Sequence, residues 1–174
     1  MNAVDELIKE RLKGVHKLAI LGVGSVLRAD DAAGVRVIEN LQAAFDPGSY
    51  PDLLFCAGET APENFSGSIR RFGPDHLVVI DAADLGLEAG AIAEIQPGDL
   101  GGPAFSTHML PLRVMIDYLV RETGARVTLL GIQYKSIAFD AGMTPEVRDA
   151  VEELSGVLKR VIEDSANPGQ PLSQ

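Results

Sequence analysis

Residues 17–34 read KLAILGVGSVLRADDAAG. The opening KLAILGV is apolar without alternation, the pattern of a strand covered on both faces. A polar, glycine-containing turn follows over residues 24–31. Val37, Ile38, Leu41 and Phe45 then recur at the spacing of a buried helical face. Strand, turn and helix in that order make the first half of a parallel β–α–β unit, and the chain goes on to repeat the alternation.

Downstream, DLLFC (52–56) reads as a second strand. A helix is expected from Thr60, where TAPE puts Glu63 at capping-box spacing and Pro62 in the first turn. HLVVID (76–81) is a third strand ending in Asp81, and residues 91–95 are a weaker fourth. Leu112, Met115, Ile116, Leu119 and Val120 form a helical stripe that Gly124 ends, and RVTLLGIQ (126–133) is a fifth strand. A last helix starts near Pro145, with Val147, Val151, Leu154, Leu158 and Val161 inward. Upstream, Val4, Leu7, Ile8 and Leu12 share one face of a helix over 4–12, with Gly14 as its stop. The expected fold is α/β, a mostly parallel five-stranded sheet covered on both sides. The expected division is a helical extension over 1–16, one α/β domain over 17–164 and a disordered tail over 165–174.

Ligands of open α/β sheets bind beyond the carboxyl ends of the strands, which ranks the candidate residues. Asp30 and Asp31 follow the first strand, Asp81 ends the third, and His108 precedes the best helix. GVGSVL (22–27) matches a dinucleotide-binding glycine loop only in part, because Leu27 stands at the third glycine position. Two carboxylates at the helix start repel phosphate and suit a cation. Their plainer reading is an N-cap and a first-turn acid. A carboxylate closing a strand as apolar as VVID requires a partner or a metal. Two carboxylates and one imidazole, with positions left open, suit nickel, zinc or a similar ion. His16 and His76 precede strands and belong to the opposite edge. Asp84 is expected as a loop or capping acid and Cys56 as buried and inert. Asp140, in DAG (140–142), is a turn residue, since aspartic-protease chemistry needs two such turns in a β fold.

The net charge of −10 argues against a nucleic-acid partner. No apolar run reaches the ~18 residues of a membrane span, and one cysteine offers no internal disulfide. The expectation is a cytoplasmic protein with no nucleic-acid partner and no membrane insertion.

The same segments carry a family resemblance. LGVGSVLRADDAAG (21–34), GETAPEN (58–64), VVIDAADLGLEAG (78–90), THMLPL (107–112), LLGIQ (129–133) and MTPEV (143–147) occur in order over about residues 17–162. They resemble the [NiFe]-hydrogenase maturation proteases, an aspartyl-type peptidase family, and most of all the branch serving formate-hydrogenlyase-type hydrogenases. The resemblance implies a three-layer α/β/α sandwich on a twisted five-stranded sheet. It also implies an endopeptidase that removes the C-terminal extension of the large-subunit precursor after nickel insertion. Asp31, Asp81 and His108 are implied both as metal contacts and as the catalytic set. Nickel is expected to be presented by the substrate, with no organic cofactor. Ser25 stands where the family usually has asparagine, and Ala32 where it usually has glycine; alanine suits a helical conformation there and not a positive φ. The competing reading is a nickel-binding or delivery module without hydrolytic activity, against which the scarcity of histidine and cysteine counts.

Overall fold

The computed structural model describes residues 3–96 and 109–166. Ten elements follow in chain order: α1 (Ala3–Leu12), β1 (Leu18–Val23), α2 (Ala33–Ala44), β2 (Leu53–Glu59), α3 (Ser66–Phe72), β3 (His76–Ala83), β4 (Ile92–Glu94), α4 (Met109–Thr123), β5 (Arg126–Gln133) and α5 (Pro145–Ala166). The strands form one sheet in the order β2-β1-β3-β5-β4. All pairings are parallel except that of β4 with β5. That exception follows from chain length, because the eight residues between Ala83 and Ile92 leave no room for a crossover helix.

Side-chain alternation divides each central strand between two cores. Ile20, Val78, Ile80, Leu130 and Ile132 face α1, α2 and α5. Leu21, Val79, Leu129 and their neighbours face α3 and α4. The three-layer α/β sandwich expected from the sequence is the one observed.

Several local expectations change. Strand β2 runs on to Glu59 because β1 continues beside it, with an irregularity between Gly22 and Val23; Cys56 is therefore inside a strand. No capping box forms at Thr60. Backbone bonds Ala61 N→Gly58 O and Asn64 N→Ala61 O make a 3-10 turn over Pro62–Phe65, and α3 starts only at Ser66. Val120 is 39% exposed. It lies about 90° around the helix from the centre of the stripe formed by Leu112, Met115, Ile116 and Leu119.

Helix α1 is part of the main core: Ile8 and Leu12 are buried among α5 side chains. Arg11 clasps Glu94 of β4 through two hydrogen bonds, at 2.9 and 2.7 Å. Helix α5 continues to Ala166, two residues past the boundary expected at 164. Residues 167–174, the remainder of the expected tail, lie outside the described residues. Among the described residues no helix is long and apolar enough to cross a membrane.

Candidate active site at the switch point of the sheet

The chain moves outward from β1 to β2 and then returns across β1 to β3. The crossovers therefore diverge between β1 and β3, the position beyond the carboxyl ends of the strands at which open α/β sheets bind their ligands. Pairing of β1 with β3 stops at Gly22↔Ile80. Asp81 is the first residue of β3 past that pairing. It is not the strand's last residue, as expected, because β5 runs alongside as far as Ala83↔Gln133. By alternation its side chain falls on the α3/α4 face of the sheet.

Asp81 is 4% exposed. Burial, reinforced by the nearby Asp31 carboxylate and opposed by a bond from the Ala82 backbone, pushes its pKa from 3.8 up to about 7. Desolvation and a like charge both disfavour a second anion here, and a cation between the two carboxylates relieves both.

Asp31 is brought there by a folded-back loop. Residues Ala29–Ala32 form a 3-10 turn that leads into α2. Close packing of this turn on β1 and β3 explains two glycines. A Cβ on Gly24, whose φ is +128°, would lie 1.7 Å from Asp31 O; one on Gly34 would lie 2.2 Å from Ile80 O. The glycines of this loop let protein backbone approach protein backbone, which replaces the phosphate-cradling role they superficially resemble. Ala32 is helical, at φ −72°, so alanine is compatible there. The strained residue is Ala29, at φ +39°. Ser25 N donates to Asp31 Oδ2 at 2.8 Å, which fixes the carboxylate from the loop's other end.

Neither aspartate of the pair caps a helix. Asp30 is fully buried and points away into the loop after β5. Its Oδ2 accepts hydrogen bonds from Lys135 N (2.9 Å), Ser136 N (2.9 Å) and Thr144 Oγ1 (3.0 Å), and its Oδ1 from Thr144 N (2.7 Å). The return bond Asp30 N→Ser136 O closes the clamp. Adjacent acids thus divide the work, with Asp30 anchoring the turn that presents Asp31. Sequence reasoning missed this role and that of Gln133, where LLGIQ turns polar. Gln133 Oε1 accepts from Leu85 N and Leu87 N at 2.6 and 3.2 Å, and Nε2 donates to Asp84 Oδ1 and Tyr134 O. It shapes the loop that leaves Asp81.

The remaining assignments sort by position. Asp84 accepts from Gly86 N at 3.3 Å, as a loop acid does. His16 is exposed and His76 begins β3 at the far edge. His76 is buried beside Thr128 Oγ1 at 2.8 Å, and burial lowers its pKa to about 4. Burial pushes the Cys56 thiol up to about 11, far from a reactive thiolate. Asp140 sits in a turn at φ +54°. His108 lies outside the described residues, one position before α4. Helix α4 packs against α3 and against the 3-10 turn that follows β2 at the carboxyl edge. Among the described residues no group of three histidine, cysteine, aspartate or glutamate side chains is placed to hold a metal.

Comparison with known proteins identifies the family and agrees with the fold. A family model described as hydrogenase maturation protease matches residues 35–160, a span that begins just after Asp31. The Hydrogenase 3 maturation protease of Escherichia coli (strain K12) is 37% identical over 134 residues, covering 76% of this chain and 83% of that one. The Hydrogenase 2 maturation protease of the same strain is 30% identical, covering 78% and 84%. The crystal structure of a [NiFe] hydrogenase maturation protease HycI from Thermococcus kodakarensis KOD1 superposes with a TM-score of 0.82 at 30% identity, covering 90% of this chain and 99% of that one. The chain belongs to the hydrogenase maturation protease family and is a peptide hydrolase.

Proposed function

We propose that this peptidase acts in the cytoplasm on a [NiFe]-hydrogenase large-subunit precursor, removing its C-terminal extension once nickel has been inserted. The nickel is part of the substrate in this reading. Asp31 and Asp81 take open positions on the presented ion, and His108, one residue before α4, is the third ligand. The observation that carries the reading is the crowding of two carboxylates at the switch point, one of them buried with its pKa pushed up to about 7. Such a pair has an unmet demand for a cation, and oxygen with imidazole donors suits a borderline divalent ion.

The ion supplies Lewis acidity toward the scissile carbonyl or an attacking water. The chain's own residues supply position. Ser25 N and the Asp30 clamp fix the turn carrying Asp31. The strand holds Asp81, and Gln133 holds the loop beyond it. A site with so few ligands of its own binds free nickel weakly, so tight association waits for an ion already held by the precursor.

The test is replacement of each proposed ligand. Asp31→Ala, Asp81→Ala and His108→Ala are each expected to reduce cleavage of nickel-loaded precursor at least a hundred-fold, read by intact mass, with circular dichroism unchanged. Two of the three cutting at near wild-type rate would refute the assignment.

A further inference from the structure

The described residues expose seven large hydrophobic side chains, and five belong to loops at the carboxyl edge of the sheet: Val26, Leu27, Leu87, Ile137 and Phe139. The other two, Val114 and Val120, lie on α4. Phe139 is 71% exposed and Leu27 58%. Scattered apolar residues on a surface require no explanation, but a concentration of them on one edge does.

The rim is held in place from below. Asp140 N donates to Leu27 O at 2.9 Å, and Arg28 Nε to Ile137 O at 3.3 Å. These bonds join the loop after β1 to the loop after β5, above the Asp30 clamp. Leu87 N is held by Gln133. The side chains are presented on fixed backbone, which reduces the ordering cost of binding. Val26 and Leu27 lie in the loop that carries Asp31, and Leu87 lies in the loop that leaves β3 after Asp81, so these side chains belong to the same loops as the carboxylate pair.

We infer that this rim docks an apolar surface of the folded large-subunit precursor, next to the segment whose peptide bond reaches the carboxylate pair. The inference rests on the proposed function for the identity of the partner. The rim's position on the loops that carry the carboxylate pair selects that occupant. A second copy bound face to face on the same rim would close both carboxylate pairs to a macromolecular substrate. An acidic or basic tail would gain little from five aliphatic and aromatic side chains.

The test compares the wild-type chain with Leu27→Ser, Phe139→Ser, Phe139→Leu and Val114→Ser. Exposed positions tolerate these changes with little loss of stability. Binding of fluorescently labelled nickel-loaded precursor is measured by anisotropy, and cleavage by intact mass under single-turnover conditions. Leu27→Ser and Phe139→Ser are expected to raise the half-saturating concentration at least ten-fold, with the maximal rate within three-fold of wild type. Phe139→Leu should recover most of the affinity, and Val114→Ser should match wild type. Rim variants that bind and cut like Val114→Ser overturn the docking surface while leaving the protease reading intact. Rim-dependent binding without cleavage by the wild type supports docking and defeats that reading. Absence of binding by the wild type overturns docking. So does a wild-type dimer that Phe139→Ser dissociates with no change in precursor binding.

Discussion

Replacing Asp30 by asparagine keeps the shape of the side chain and inverts half of its hydrogen bonding. The carboxylate accepts four bonds of 2.7–3.0 Å from the loop after β5, three of them from backbone N–H groups. An amide has one acceptor. With its oxygen in the Oδ2 position it retains three weakened bonds and points an NH2 group at Thr144 N. An orphaned buried N–H costs ~1–3 kcal/mol, and each lost charge assistance removes a further fraction of ~1 kcal/mol. The expected loss is about 3–5 kcal/mol, with the reverse orientation worse. At roughly 2–4 °C per kcal/mol for a domain of this size, the melting temperature falls by about 6–20 °C. Thr144→Val removes only the Oγ1 bond and should lose about 1 kcal/mol. The assay is urea and thermal unfolding by circular dichroism, with precursor cleavage measured well below the midpoint. Cleavage by Asp30→Asn should fall as well, because the same turn presents Asp31. An Asn variant within ~0.5 kcal/mol of wild type would refute the clamp, since surface substitutions alone move stability that little.

Asp81 predicts a pH dependence in the metal-free protein. Its folded pKa of about 7 lies above the ordinary 3.8, so the folded state retains a proton that the unfolded chain has lost. Burial of the protonated group therefore carries no pH-linked cost below pH 4; stability is lost as pH rises from 4 to 7, by at most about 4 kcal/mol in all, and the loss levels off above pH 7. Asp81→Asn should be more stable than wild type at pH 8 and lose most of that advantage at pH 4; equal stability differences at both pH values would contradict the desolvation argument. Gly34→Ala should destabilise by more than ~3 kcal/mol or prevent folding, because the added methyl meets Ile80 O and Val23 O, both backbone; a denaturant midpoint close to wild type would show that the turn can move away. Cys56→Ala and Asp140→Asn should cleave precursor within two-fold of wild type. Cys56 is buried with a raised pKa, and asparagine accepts the left-handed conformation of residue 140. Loss of cleavage in a well-folded Cys56→Ala protein would revive a thiol mechanism.

Much of the fold was legible because its signals are local. KLAILGV and HLVVID lack a polar face, and the stripe from Val147 to Val161 repeats at helical spacing. The strand-end rule also brought Asp31 and Asp81 to one edge, which requires only that β1 and β3 be parallel. What the sequence hid depends on distant partners. Nothing near Asp30 announces that its hydrogen bonds go to residues 105–114 positions away, and an acid pair at a helix start looks the same whether it caps or clamps. Strand β2 outruns its apolar stretch because β1 extends beside it. The integration of α1 requires Arg11 to find Glu94, a partner 83 positions away. The exposed rim was invisible for a related reason: Leu27 and Phe139 read as ordinary apolar residues until the fold leaves them uncovered.

In the proposed reaction Asp31, Asp81 and His108 read a nickel ion that the precursor brings. The most direct measurement incubates metal-free enzyme with nickel-loaded precursor and, in parallel, with nickel-free precursor of the same length, and reads both by intact mass. The prediction is loss of the C-terminal extension from the loaded precursor alone, with no metal added to the enzyme. Efficient cutting of the nickel-free precursor, or a need to load the enzyme with metal before it cuts the nickel-bearing one, would contradict it.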